Sequence, residues 1–253
     1  MKRALIVAGA IVLVLVVALG AVVAATFRGR KPISDGLDIR SAHIVADGTT
    51  SMAIVAIGGG QVALVDAGED PAGRALLAAM AAKHLARTSV TAILLTHGHA
   101  DHIGAVKLFP RAQVMALDAA VPVVEGRART HGPVTWFIPA RSTGITVTRR
   151  LHDGETFMLG DKMVRVFAMP GHTAGSAAYL FDDLLFIGDS ADVKADGTLV
   201  GAPWVFTDSQ SQNRASLRRL ARTLGQEDVP VRAIVPAHSG VADGLLPLLA
   251  FAD

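Results

Sequence analysis

In the stretch THGHADH, Thr96 to His102, three imidazoles and a carboxylate fall within six residues: His97, His99, Asp101 and His102. The apolar run Ala92 to Leu95 leads straight into it, so these groups sit just past a buried strand. The arrangement recurs three times. The strand expected around Met163–Met169 runs into PGHTAGS with His172, that at Leu184–Ile187 into GDS with Asp189, and that at Val231–Val235 into PAHSG with His238. In α/β sheets, chemistry gathers at the carboxyl ends of strands, so four loops can converge on one point. Five histidines and two aspartates suit Zn²⁺, Mn²⁺ or Fe²⁺. Seven ligands exceed one tetrahedral site and suit two cations sharing a bridge. Gly98 lets the chain turn sharply, placing His97 and His99 on one side, while Asp101 and His102 open a helix and point to a second position. GDS alone would mean nothing; the ordered set does. His43, His84, His131 and His152 join no such pattern.

The elements that must position these groups can be read from periodicity and turn residues. SMAIVAIGGGQVALVDAG reads as two strands about the Gly58–Gly60 turn. Pro71 to Arg87 has helical composition, SVTAILL is a strand, DHIGAVKLF starts a helix and AQVMAL is a strand. Val121 to Thr146 is irregular and carries Trp136 and Phe137. Four strands follow, ITVTRR, MVRVFAM, SAAYLF and DLLFIG, then the amphipathic helix DSQSQNRASLRRLARTL and the strand VRAIVPA. Strand and helix alternate around a strand-rich middle, which predicts an α/β layered domain with mixed sheets.

Composition bounds the rest. The chain has 253 residues and no cysteine, which removes disulfides, thiolate metal sites and a cysteine nucleophile. Ala4 to Phe27 is free of charge, and Lys2, Arg3, Arg28, Arg30 and Lys31 flank it. A signal-peptide core takes roughly 7–15 residues and a spanning helix about 20, so the length predicts a single-pass transmembrane anchor over residues 1–31. A short linker, 32–36, then leads to a catalytic domain over 37–253. The short basic tail before the run places that domain outside the cytoplasm; cleavage near Val23-Ala24-Ala25 would make it secreted. Five of the 24 Lys and Arg residues flank the anchor and no acid does, leaving 19 against 22 Asp and Glu. A basic nucleic-acid surface is therefore not expected.

The ordered set THGHADH, PGHTAGS, FIGDS and PAHSG, with the earlier VALVDAGED, resembles the metallo-β-lactamase-fold hydrolase superfamily, over Leu37 to Gly240. The resemblance implies a four-layer αββα sandwich with a dinuclear metal site, Zn²⁺ being expected and Mn²⁺ or Fe²⁺ the alternatives. It implies that His97, His99 and His172 hold one metal, that Asp101, His102 and His238 hold the other, and that Asp189 bridges them. Asp66 would orient a ligand histidine from behind. A hydroxide shared by the two metals would attack a small-molecule ester, thioester, lactone, lactam or phosphoester, with Asp101 orienting it and relaying a proton.

Departures from the family's branches narrow this. Only fifteen residues follow His238, whereas glyoxalase II carries a helical region there. Asp189 stands where one β-lactamase type has cysteine, leaving the cysteine-free type as an alternative. Lactonases of the family place a tyrosine soon after the bridging aspartate, but Tyr179 lies upstream of it. A mononuclear iron persulfide dioxygenase is the alternative from another reaction class. Trp136, Phe137, Trp204 and Phe206 are expected to wall the pocket, and Arg127, Arg129 and Arg141 either to face solvent or to attract an anionic substrate.

Overall fold

A computed structural model describes residues 2–251, with several side chains of the first helix also outside the described set. The first helix, α1, spans Lys2–Phe27. Strands β1 (Leu37–Ile39), β2 (Ala42–Asp47), β3 (Thr50–Ala56), β4 (Val62–Val65), β5 (Val90–Leu94), β6 (Gln113–Leu117) and β7 (Arg149–Leu151) form a seven-stranded sheet in that order. Helix α2 (Arg74–Ala82) follows β4, α3 (Ala100–Ile103) follows β5, and α4 (Val121–Val124) follows β6. The second sheet takes β8 (Thr156–Leu159), β9 (Lys162–Ala168), β10 (Ala177–Phe181), β11 (Leu184–Gly188), β14 (Ala233–Pro236) and β15 (Ala242–Asp243), ordered β15-β14-β11-β10-β9-β8. Between β11 and β14 come a two-stranded ribbon, β12 (Ala191–Val193) with β13 (Leu199–Gly201), and helix α5 (Gln210–Gln226). Helix α6 (Leu246–Leu249) ends the described chain.

Side-chain alternation explains the layering. In the second sheet Val164, Val166, Tyr179, Phe181, Phe186 and Val235 join the core of the first sheet. Their neighbours Phe167, Ala178, Leu185, Ile187 and Ile234 point the other way and pack with Leu217, Leu220 and Leu224 of α5. A period of two on strands with both faces covered requires helices outside both sheets, and the result is the expected αββα sandwich. Ser209 caps α5 by accepting from the Gln212 amide at 3.3 Å.

The sheets are arranged so that ligand-bearing loops share one end. β4 and β5 run parallel, as do β11 and β14, and β9 runs with β11 because β10 is antiparallel to both. The Ala177 amide donates to the Thr96 carbonyl at 2.8 Å and the Ser51 amide to the Ala237 carbonyl at 2.9 Å, joining the two sheets at that end.

The N-terminal expectation is corrected. Among the described residues no helix is long and apolar enough to cross a membrane. The single-pass transmembrane anchor over residues 1–31, and the extracytoplasmic placement built on it, are set aside. A hydropathy run counts residues without knowing what they touch. Here the end of the run serves the domain: Phe27 packs on Phe206 with ring centroids 6.2 Å apart, and the Arg30 guanidinium lies 4.1 Å over the Phe27 ring. Residues 30–35 are fastened as well. The Lys31 amide donates to Val193, the Gly240 amide to Lys31, and the Ala46 amide to the Asp35 carboxylate.

Candidate functional site

Asp66 follows β4 in a left-handed backbone conformation, φ 59°, unusual for a residue with a Cβ though tolerated by aspartate. The turn brings its carboxylate under the next loop. There it accepts from the Thr96 amide at 2.8 Å, the Thr96 hydroxyl at 2.7 Å and His102 Nδ1 at 2.8 Å. Two glycines allow the close approach of the surrounding chain. A Cβ on Gly98 would meet the Val124 nitrogen at 2.8 Å, and one on Gly188, itself at φ 50°, would meet Thr96 Oγ1 at 2.4 Å. Gly98 is thus required by the nearness of α4. The buried Tyr179 hydroxyl donates to the Leu95 carbonyl at 2.7 Å, fixing the root of the loop.

Each of the five histidines has a partner on its outer nitrogen, and for His97, His172, His102 and His238 that partner sets the tautomer. The Thr96 hydroxyl gives its proton to Asp66, so it accepts from His97 Nδ1 at 3.2 Å. The Thr207 hydroxyl donates to the Pro203 carbonyl at 2.7 Å, so it accepts from His172 Nδ1 at 3.3 Å. His102 Nδ1 donates to Asp66 and His238 Nδ1 to the Thr49 carbonyl at 2.6 Å. His99 is turned the other way, with Nε2 on the Thr130 hydroxyl at 3.0 Å. The inward nitrogens are therefore His97 Nε2, His99 Nδ1, His172 Nε2, His102 Nε2 and His238 Nε2.

These atoms form two groups around one carboxylate. His97, His99, His172 and Asp189 make the first; Asp101, His102, Asp189 and His238 make the second. In the first, His99 Nδ1 lies 3.0 Å from both His97 Nε2 and His172 Nε2, and Asp189 Oδ2 lies 3.9 and 3.4 Å from those two. In the second, His102 Nε2 is 3.1 Å from Asp189 Oδ1 and 3.5 Å from Asp101 Oδ2, and His238 Nε2 is 3.0 Å from Asp189 Oδ2 and 3.2 Å from Asp101 Oδ2. Ligands about 2.0–2.1 Å from a tetrahedral zinc stand about 3.3 Å apart, so the spacing matches. Buried His102 Nε2 and Asp189 Oδ1 face each other at 3.1 Å without forming a hydrogen bond, an expensive state for polar atoms that a cation held by both would relieve. The donor set fits two divalent ions.

The electrostatics of the metal-free site are divided in the same way. Burial, reinforced by the neighbouring His102, holds His97 well below the usual imidazole range; burial also lowers His99 and takes His172 down to about 3. Burial opposes charge on His102 and His238 too, but Asp189 overrides it, raising His102 well above its ordinary value and His238 to about 11. Asp189 is held well below the carboxylate range despite its burial, chiefly by His238 and His102. In the second group protons stand where a cation's charge would.

The description "Metallo-beta-lactamase superfamily" belongs to the family model that matches residues 45–238, from β2 to the last histidine of the second group. The chain belongs to the metallo-β-lactamase superfamily. A hydroxyacylglutathione hydrolase of Shewanella sp. (strain ANA-3) is 36% identical over 140 residues, 54% of this chain and 46% of the relative. A probable polyketide biosynthesis zinc-dependent hydrolase, BaeB, of Bacillus velezensis is 32% identical over 114 residues, 45% of this chain and 44% of the relative. The chain spans about half the length of the curated relatives it matches. Among solved structures, the metallo-β-lactamase MIM-1 of Novosphingobium pentaromativorans superposes with TM-score 0.62 at 22% identity, covering 83% of this chain and 78% of that one, a likeness of fold.

Around this superfamily site lies a cleft of about 740 Å³, floored by His99, Asp101, Asp189 and His238. Of the four aromatics expected to wall it, Phe206 does; Trp136, Phe137 and Trp204 are not among its lining residues, and Phe137 is 82% exposed. Trp136 is instead stacked by Arg129 and His131. The loop contributes Thr135 and Ile138. Arg127 pairs with Glu125 and Arg129 donates to the Trp136 carbonyl; neither they nor Arg141 line the cleft. Phe27, Arg30 and Ile33, which do, sit in segments that hydropathy and glycine-proline content read as anchor and linker. His43, His84, His131 and His152 lie outside both ligand groups.

Replacing Thr207 by Val keeps the shape but leaves the His172 Nδ1 proton without its acceptor. Partners that orient ligand histidines are worth about 10- to 100-fold in metal affinity or activity. A chelator-competition titration is expected to show a loss of that size for Thr207→Val; an unchanged affinity would mean the tautomer is not set there.

Proposed function

We propose that this chain is a dinuclear metal-dependent hydrolase of acyl bonds, thioesters or esters first among them, acting on a small molecule. The observation that carries the reading is the set of five histidines whose outer nitrogens are all occupied while their inner ones surround a shared carboxylate. His97, His99 and His172 would hold one ion, Asp101, His102 and His238 the other, and Asp189 both. Two divalent ions so placed, Zn²⁺ being expected, supply an ionised water near neutral pH and polarise the substrate oxygen. Preassembly of the second group, with its orphaned His102 nitrogen, favours this over the one-iron oxidoreductase. The chain's relatives, a hydroxyacylglutathione hydrolase and a probable polyketide biosynthesis zinc-dependent hydrolase, support an acyl substrate.

The chain's own groups have separable tasks. Asp101 lines the cleft, and although burial would raise its carboxyl, His102 and His238 hold it far below the usual range. It stays ionised and accepts a hydrogen bond from water entering the cleft, which orients that water. Phe27, Ile33, Ile138 and Phe206 keep bulk water from the reacting atoms. The test is a panel of chromogenic esters, thioesters, lactones, cephalosporins and phosphodiesters, with His97→Ala as control. Turnover of acyl substrates that the variant loses is expected. Turnover of none, or equal turnover by the variant, would overturn the reading.

A further inference from the structure

One wall of the cleft comes from outside the strand-end loops. Phe27 in the last turn of α1, and Arg30 to Ile33 after it, line the same cavity as the ligands His99, Asp101, Asp189 and His238. Ile138 and Phe206 line it too, the latter in ring contact with Phe27. We propose that this N-terminal wall receives an uncharged apolar acyl chain, so that the natural substrate carries such a chain next to its scissile carbonyl. The inference rests on the acyl-hydrolase reading above and deepens it.

Charge points the same way as shape. The wall contains two cations, and both are turned to the protein. Arg30 Nη2 pairs with Asp192 Oδ2 at 2.7 Å and its guanidinium is stacked on Phe27, while its buried Nε and Nη1 have no hydrogen-bond partner. Lys31 Nζ donates to the Val241 carbonyl at 2.7 Å. Among the described lining residues no other Lys or Arg occurs, so the carboxylates of a peptide-like thiol would have only the buried Nε and Nη1 of Arg30 to turn to. Phe27, Pro32 and Ile33 of this segment add ring and aliphatic side chains to the lining.

The wall is also fixed before any ligand arrives. Arg30 forms a β-bridge with Lys194, the Ala195 amide donates to Gly29 at 2.9 Å, and the Lys31 amide to Val193 at 2.8 Å. A preformed surface spends little ordering entropy on binding. Its volume of about 740 Å³ lies within the range that encloses a drug-sized ligand, about 300–1,000 Å³, far beyond the need of an acetyl group.

The experiment uses the metal-loaded full chain with p-nitrophenyl esters from acetate to decanoate. kcat/KM is expected to rise about three- to fourfold per methylene until the wall is filled. Phe27→Ala should lower the decanoate-to-acetate ratio by about tenfold or more, while Phe27→Leu restores most of it; a ratio cancels changes in folding or metal content. Decanamide binding to the metal-free protein, followed by calorimetry, should weaken in parallel. Turnover of acetate with no chain-length dependence would overturn the inference and leave the hydrolase reading standing. So would a preference for glutathione thioesters that Arg30→Met abolishes. If no acyl substrate is hydrolysed, the acyl reading fails, and decanamide binding then decides the wall by itself.

Discussion

Replacing Asp189 by Asn is expected to lower kcat/KM by about a thousandfold or more and to cost the protein bound metal. Asp189 is the one residue common to both four-donor groups, with oxygens 3.0 Å from His238 and 3.1 Å from His102. The carboxamide has nearly the same shape but carries no charge and offers a single oxygen. Charge stabilisation by a bound cation is worth several kcal/mol, and each factor of ten in rate is about 1.36 kcal/mol, so losing about 4 kcal/mol gives the stated effect. The substitution also reports on the metal-free site. Asp189 is what holds His102 and His238 protonated against their burial, so in the variant both should release their protons at lower pH, visible in their ring proton shifts. His152→Ala, on an exposed histidine outside the groups, is the control. An Asp189→Asn protein within tenfold of the parent in activity, with its metal intact, would contradict the assignment.

Removing Arg30 is expected to destabilise the fold by about 3–5 kcal/mol, the usual cost of leaving a buried charge without its partner. The Arg30 and Asp192 side chains are 9% and 2% exposed. Substituting both, as Arg30→Met with Asp192→Asn, should recover much of the loss, because the penalty lies in the stranded carboxylate. Its pH dependence can be signed. Burial, the largest influence, raises the Asp192 carboxyl even with Arg30 beside it. The folded state then holds this proton to higher pH than the unfolded chain, whose carboxyl titrates near about 3.9. The contribution of this group is complete below that value and is lost as pH rises through the folded one. Without Arg30 the folded value climbs further, so the deficit of Arg30→Ala should be small in acid and grow towards neutral pH. Urea unfolding across that window measures it; a deficit below about 1 kcal/mol, or one independent of pH, would show that the pair is not holding the segment down.

The gathering of the seven groups was legible because each of their loops leaves a short apolar strand and carries residues that a surface turn has no need of. The parallel pairing of β4 with β5 and of β11 with β14 then brings those ends together. Other features depend on contacts that no local pattern encodes. The helix expected over DHIGAVKLF stops after Ile103 because the next amides, Gly104 and Ala105, donate to the Gly68 and Ala67 carbonyls at 2.8 and 3.0 Å instead of to the preceding turn. The β12–β13 ribbon and β8 pass unnoticed because they are short, and β8 exposes Met158. Aromatic composition does not say which ring turns inward: Phe206 lines the cleft, whereas Trp136 spends its face on Arg129. The largest difference lies at the N-terminus, where hydropathy read lipid and the structure shows Phe27 packed on Phe206.

The central claim is that seven side chains, on the loops that follow four strands, assemble one site for two divalent ions. Elemental analysis of hydrolytically active protein, purified with its native metal, tests it most directly. The account predicts about two divalent ions per chain, zinc foremost, with a marked loss in His97→Ala and in Asp189→Asn. Active protein with a single iron per chain, or with no stoichiometric metal, would contradict it.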